Sequence, residues 1–313
     1  MGLSRLSLLL LLSVPTVFGV ACGARSQLFV DPIETDASFP KDAGRDVTDA
    51  RDTSPDVLPP IDARPNPDAA KVGCPEGNVT YVYLITTNYE LYSFYPPTLQ
   101  FRLVGQIACP NQGSSTPFSM AVDRKGVAYI VYNDGRLFRV STLTASCLAT
   151  TYAKDQLGIT TFGMGFAASD DGTSESLYVA TSDNVDKFLG TIDTSTYQMR
   201  KVGDFNPPIG RAELTGTGSG GLYGFYEYDD GTTYIGQIDK ASGRVTGESL
   251  MPGVKQGQGW AFAFWGGDFY MFTAPSGQSL VTRYRPSDRS TTLVARLSSI
   301  IVGAGVSTCA PEQ

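Results

Sequence analysis

The sequence predicts an all-β domain, a β-propeller of five four-stranded blades, on three observations. A tyrosine-centred apolar segment recurs at Tyr83, Tyr129, Tyr178, Tyr223 and Tyr270, spaced 46, 49, 45 and 47 residues apart. A period in the mid-forties built of short strands is a propeller signature. A second segment, alternating large and small residues, precedes four of these tyrosines and recurs once more at the end of the chain. Composition agrees: 34 Gly, 16 Tyr and 16 Phe with 18% charged residues suit short strands and tight turns. A sixth, degenerate blade or a regularly spaced β-sandwich remain the alternatives.

The chain has 313 residues, and its beginning reads as an export signal. Arg5 is followed by the apolar run Leu6 to Leu12 and then Ser13-Val14-Pro15-Thr16-Val17-Phe18, too short to span a membrane. The segment closes on Gly19-Val20-Ala21-Cys22, which resembles the lipobox of bacterial lipoproteins, with Gly19 where leucine is most usual. The resemblance implies cleavage after residue 21, diacylglycerol on Cys22 and an acylated new N-terminus. Several acyl chains make a stable anchor, at about 0.8 kcal/mol per buried CH₂. Gly23 follows where Asp is the familiar inner-membrane retention signal, so the resemblance implies the outer membrane, facing the periplasm or the surface.

Residues 22–73 read as a tether. Asp31, Asp36, Asp42, Asp46, Asp49, Asp52, Asp56, Asp62 and Asp68 alternate with Pro32, Pro40, Pro55, Pro59, Pro60, Pro65 and Pro67. Few large apolar residues interrupt them, so no core offsets the entropy of ordering, and like charge and proline favour extension. These aspartates lack the glycine and bidentate glutamate of a calcium loop. With its Cys-Gly-Ala-Arg start and a cysteine opening the domain, this stretch resembles lipoproteins abundant in myxobacteria.

The folded domain is expected over 74–313. Each tyrosine segment leads to a second strand, such as Glu90-Leu91-Tyr92-Ser93-Phe94 or Arg136-Leu137-Phe138-Arg139-Val140. A third follows a polar turn, such as Gln198-Met199-Arg200-Lys201-Val202. The segments ahead of the tyrosines are Phe118-Ser119-Met120-Ala121-Val122, Phe162-Gly163-Met164-Gly165-Phe166, Ala212-Glu213-Leu214-Thr215-Gly216 and Trp260-Ala261-Phe262-Ala263-Phe264. Small second and fourth residues suit innermost strands converging on a narrow central channel, with large residues packed between blades. The fifth copy, Val302-Gly303-Ala304-Gly305-Val306, is expected to return and complete the first blade. That closure brings Cys309 to Cys74, and Cys109 with Cys147 follows by elimination.

The chain has no histidine, which excludes Ser-His-Asp and Cys-His chemistry and any His-ligated metal. A net charge of −7 argues against nucleic acid, whose phosphates need a basic face. Asn133-Asp134-Gly135, Asp170-Asp171-Gly172 and Asp229-Asp230-Gly231 read as hairpin turns with Asn, Asp or Gly at positive φ, not as metal loops. The run 216–221 lacks the lysine and following helix of a phosphate loop. Nothing in the sequence implies a cofactor.

Two sets of candidate ligand residues remain. Glu213 is the single charge among ten channel-facing positions, with Ser119 in its layer, Thr215 in the next and Arg211 as a neighbouring partner. Partial desolvation would raise its pKa, a frequent mark of a site. The second set lies on loops after the tyrosine strands: Asn88-Tyr89, Asn133, Asp183-Asn184 and Tyr228. Exposed Tyr and Asn on loops suit glycan or protein recognition. Five-bladed propellers resemble in fold the furanosidases and invertases, but glycoside hydrolysis needs two carboxylates. Glu213 stands alone, since Asp123 ends its strand toward the other face. The favoured expectation is a membrane-tethered binding module; a carboxylate-based hydrolase or lyase and an envelope scaffold are the alternatives.

Overall fold

The computed structural model describes residues 81–181 and 187–313, residues 58–61 and 73–74, and the backbone of Gln27–Leu28. Cys22, Asp183 and Asn184 lie outside the described residues. The strands run in chain order from β1 (Gln27–Leu28), which pairs with the edge of the first blade. That blade takes β2 (Val82–Thr86), β3 (Glu90–Tyr95) and β4 (Gln100–Gln106). The second is β5 (Pro117–Val122), β6 (Val127–Tyr132), β7 (Leu137–Ser141) and β8 (Cys147–Ala149). The third is β9 (Phe162–Ala168), β10 (Glu175–Thr181), β11 (Phe188–Ile192) and β12 (Met199–Asp204). The fourth is β13 (Ala212–Gly216), β14 (Leu222–Glu227), β15 (Thr233–Ile238) and β16 (Val245–Leu250). The fifth is β17 (Trp260–Trp265), β18 (Asp268–Thr273), β19 (Ser279–Arg285) and β20 (Ser290–Leu297). The last strand, β21 (Ile301–Val306), pairs antiparallel with β2, Val82 opposite Val306, and supplies the inner strand of the first blade.

The five inner strands, β21, β5, β9, β13 and β17, carry the alternating pattern read from the sequence. Large residues at one parity pack between blades: Phe162, Met164 and Phe166 meet Tyr129 and Val131 of the second blade, and Phe262 meets Phe225 of the fourth blade at 5.7 Å. Phe94 stacks on Phe101 at 4.4 Å and meets Tyr270 and Phe272 of the fifth blade edge-on. The small parity faces the axis and lets backbones approach directly. A Cβ on Gly303 would lie 2.8 Å from the Met120 nitrogen, and one on Gly163 would overlap the Ala212 carbonyl. The expected channel is therefore narrow, and the side chains of Ser119 on β5 and Glu213 on β13 meet across it.

Both disulfides join the expected pairs. Cys74 and Cys309 (Cα–Cα 5.6 Å) clasp the two ends of the domain, and Cys109 and Cys147 (4.9 Å) pin the outer part of the second blade. The hairpin glycines Gly135, Gly172 and Gly231 have φ between 71° and 82°, whereas the Asn and Asp residues before them do not take positive φ. Only the glycine uses the left-handed region, as in three-residue hairpin loops with a bulge. Within the expected tether, Leu58-Pro59-Pro60-Ile61 lies against the fourth blade, with Ile61 buried. Its apolar side chains are what the neighbouring Asp/Pro sequence lacks.

Candidate functional site

Glu213 sits where the repeat alignment places it, on the axis, but it is buried to 1% exposure rather than partly solvated. It joins three blades. The Ser119 hydroxyl of β5 donates to Glu213 Oε2 at 2.7 Å, and Ser119 Oγ accepts the Met164 N–H of β9 at 3.2 Å. Thr215, one layer on, accepts the Phe264 N–H of β17 at 3.0 Å. These side chains take up backbone donors that five crowded strands leave facing the axis, a structural use of polarity. Burial strips hydration from the Glu213 carboxylate and drives its pKa well above the ordinary glutamate range, opposed by the Ser119 and Met164 hydrogen bonds. Arg211 is not its partner: the guanidinium lies over the Trp260 ring, 4.4 Å from its centroid.

The two ends of the axis differ. At the end where the inner strands finish, Asp123 Oδ1 accepts the Lys125 and Val127 N–H groups at 2.9 and 2.8 Å and shapes a turn. Beside it the buried Arg124 guanidinium donates to the carbonyls of Gly172, Thr173 and Ser174 and lies 3.5 Å from Glu175 Oε2. Thr308 donates to the same carboxylate at 2.7 Å, next to the Cys74–Cys309 bridge. This network holds the chain terminus over that end.

At the other end, where the inner strands begin, a cavity of about 250 Å³ opens between the fifth, first and second blades. Its wall includes Thr87, Thr116, Phe118, Asn133, Gln258, Trp260 and Val302. Phe118 meets Trp260 edge-on at 6.2 Å. Asn133 and Thr116 pair reciprocally: the Thr116 N–H donates to Asn133 Oδ1 at 3.2 Å and the Asn133 N–H to the Thr116 carbonyl at 2.9 Å. The Trp260 indole N–H is buried, out of reach of solvent, and has no acceptor among the described residues. A buried donor left unpaired costs about 1–3 kcal/mol.

Of the loop residues singled out from the sequence, Asn133 lines this pocket, and Asn88 and Tyr89 continue from Thr87 at its edge. The Tyr89 hydroxyl donates to the Ser115 carbonyl at 3.0 Å, so its ring ties two loops together. Tyr228 does not join them. It lies on the outer part of the fourth blade, its hydroxyl on Glu248 Oε1 at 2.7 Å and its ring 5.3 Å from Tyr234. Trp260, Phe118, Thr87, Thr116 and Gln258 were missed as a group. Trp260 is one of two tryptophans and opens an inner strand, which was the available signal. The alternation assigned it to packing between blades.

Fold and site together define the class: a five-bladed β-propeller with a narrow axis and a pocket at one mouth. No family model matches the chain, and no curated protein matches it in sequence. Among solved structures it is similar to a chain of a nidogen/laminin complex, at 11% identity and a TM-score of 0.48, over 72% of this chain and 97% of that one. TolB from Acinetobacter baumannii matches at 13% identity and 0.44, over 74% and 69%. A luciferin-regenerating enzyme matches at 14% and 0.40, over 76% and 80%. These are likenesses of architecture, and the blade count is fixed by the strand pairing of the chain itself.

Proposed function

We propose that this protein is a lipid-anchored, extracytoplasmic binding module that recognises a glycan at the pocketed mouth of its propeller. The observation that carries the site is the cavity itself, rimmed by Thr87, Thr116, Asn133 and Gln258 and walled by the Trp260 and Phe118 rings. Hydroxyls and amides match the hydroxyl-rich surface of a sugar, and Phe118 and Val302 offer apolar walls. At about 250 Å³ the cavity is smaller than the roughly 300–1,000 Å³ of drug-sized sites, which suits a single ring at the end of a longer chain. The anchoring half of the proposal rests on Gly19-Val20-Ala21-Cys22, and Gly23 favours the outer membrane.

A hydrolase or lyase built on Glu213 has less in its favour. Its carboxyl is sealed from solvent, occupied by Ser119, and among the described residues has no second carboxylate on the axis to share the chemistry. A scaffold role is the outcome left if no glycan binds.

The test is calorimetric titration of envelope glycan fragments into wild-type protein and Thr87→Val. The substitution keeps the branched shape of the side chain and deletes the rim hydroxyl. Loss of one hydrogen bond to an uncharged acceptor, about 0.5–1.5 kcal/mol, weakens binding roughly two- to twelvefold. Equal affinity of the two proteins would remove the pocket as the site; no binding to any fragment would move the assignment to scaffold. In cells, Cys22→Ser shifts the chain from the membrane to the soluble fraction, and an unchanged membrane fraction would refute lipidation.

A further inference from the structure

The outer strand of a propeller blade has one unpaired edge, and on the fourth blade that edge is occupied. The carbonyl of Pro59 accepts the Glu248 N–H of β16 at 2.7 Å. Ile61 is 7% exposed and joins the apolar cluster of Ile235, Met251 and Val254. Leu58, like Tyr228 and Tyr234, packs against the apolar cluster that includes Tyr226, Ile238 and Val245. Glu248 receives the hydroxyls of both Tyr226 and Tyr228, at 2.5 and 2.7 Å, which fixes the tyrosine wall. Gly247 supplies the clearance: a Cβ there would lie 2.9 Å from the Pro59 carbonyl oxygen and 3.3 Å from that of Pro60.

We propose that the outer edge of the fourth blade is a docking groove for an extended, proline-containing segment, and that its occupant is Leu58-Pro59-Pro60-Ile61 of the same chain. The chemistry matches on each count. Consecutive prolines hold an extended backbone at low entropic cost, and aromatic-lined grooves are how such segments are recognised. A proline lacks an N–H, so the segment can accept from the edge strand without presenting a further template for pairing. The segment ends 13 residues before Cys74, which Cys309 fixes to the domain. That spacing reaches about 45 Å, enough for docking within one molecule.

The consequence concerns the tether. The pairing of Gln27–Leu28 with β4 already limits the free reach from Cys22 to five residues, at most about 18 Å, and docking at the fourth blade pins the spacer to the domain a second time. Force from an anchor at Cys22 then enters first through the β1–β4 pairing on the first blade, next through the docked segment on the fourth, and reaches the disulfide-clasped end last.

Hydrogen exchange on the full-length chain tests this at the Glu248 amide. Wild-type protein is compared with Ile61→Asp, which places a charge in the buried cluster, and Gly247→Val, which blocks the groove and leaves the segment untouched. Both are expected to speed exchange at Glu248 at least tenfold while β13, β14 and β15 stay protected. Protection of β14 reports folding in the same measurement; if either variant loses it, Leu58→Ser at the rim supplies the second perturbation. Unchanged Glu248 protection in two folded variants overturns the proposal. Wild-type protection that falls on dilution also overturns it, because the occupant would then come from a second copy.

Discussion

Tyr89 holds a conformation that other blades give to glycine. It has φ = 63°, and its N–H donates to the Thr86 carbonyl at 3.1 Å; Gly135 and Gly231 do the same to Tyr132 and Tyr228 at 2.9 and 2.8 Å. For an L-residue the left-handed region costs about 1–2 kcal/mol. That strain is held by the hydroxyl on Ser115 and by the Tyr132 ring, 6.4 Å away. Strained non-glycine residues gather where a site over-determines them, and Tyr89 borders the pocket. Tyr89→Gly is therefore expected to change stability by less than about 1 kcal/mol, relieved strain offsetting the lost ring contact. A denaturant titration checks it. A loss of about 3 kcal/mol, the usual cost of emptying an aromatic site, would mean that packing alone keeps the tyrosine there.

At the scale of elements, the blades were legible because each strand obeys a local rule. Phe118-Ser119-Met120-Ala121-Val122 and its copies show their parity directly, since axis positions admit only small side chains. The return of Val302 to Val306 followed from a first blade short of an inner strand. The pocket was not legible. Thr87, Phe118 and Trp260 belong to three blades and converge only once the ring is closed, and no local pattern records that convergence. Tyr228 was misplaced for a related reason: its loop fixes which end of the blade it leaves, but not how far from the axis. Closure itself is open to measurement. In the chain-entropy picture, stabilisation grows with the loop a bridge closes, and the separations are 235 residues for Cys74–Cys309 and 38 for Cys109–Cys147. Replacing the first pair by serine is expected to cost about 5 kcal/mol and the second about 4. Unfolding midpoints of the two double variants test the order; a reversed order would show that local strain or packing outweighs ring closure.

At the scale of the whole molecule, two sets of carboxyl groups pull stability in opposite directions with pH. Burial raises the pKa values of Glu213, Glu175 and Asp123. The folded state therefore binds their protons more tightly than the unfolded chain. That stability is complete below the ordinary carboxylate range and is lost as pH climbs through the raised values. Asp171 and Asp193 behave oppositely. Hydrogen bonds from the Ser169 hydroxyl and Thr173 hold the first, and those from Ser195 and Thr196 hold the second, each pushed down to about 2. Their contribution is present above pH 4 and is lost as pH falls toward 2. The thermal midpoint is thus expected to peak near pH 4–5 and to decline on both sides. Glu213 dominates the alkaline limb because it is the deepest of the three, locked between Ser119 and the backbone of β9. Glu213→Gln keeps an acceptor for the Ser119 hydroxyl and has no proton to lose. Its midpoint should fall less between pH 5 and pH 8 than that of the wild type, with the acid limb unchanged. Parallel alkaline limbs in the two proteins would mean that Glu213 keeps its proton throughout that range or that Glu175 and Asp123 carry the slope, and Glu175→Gln separates those outcomes.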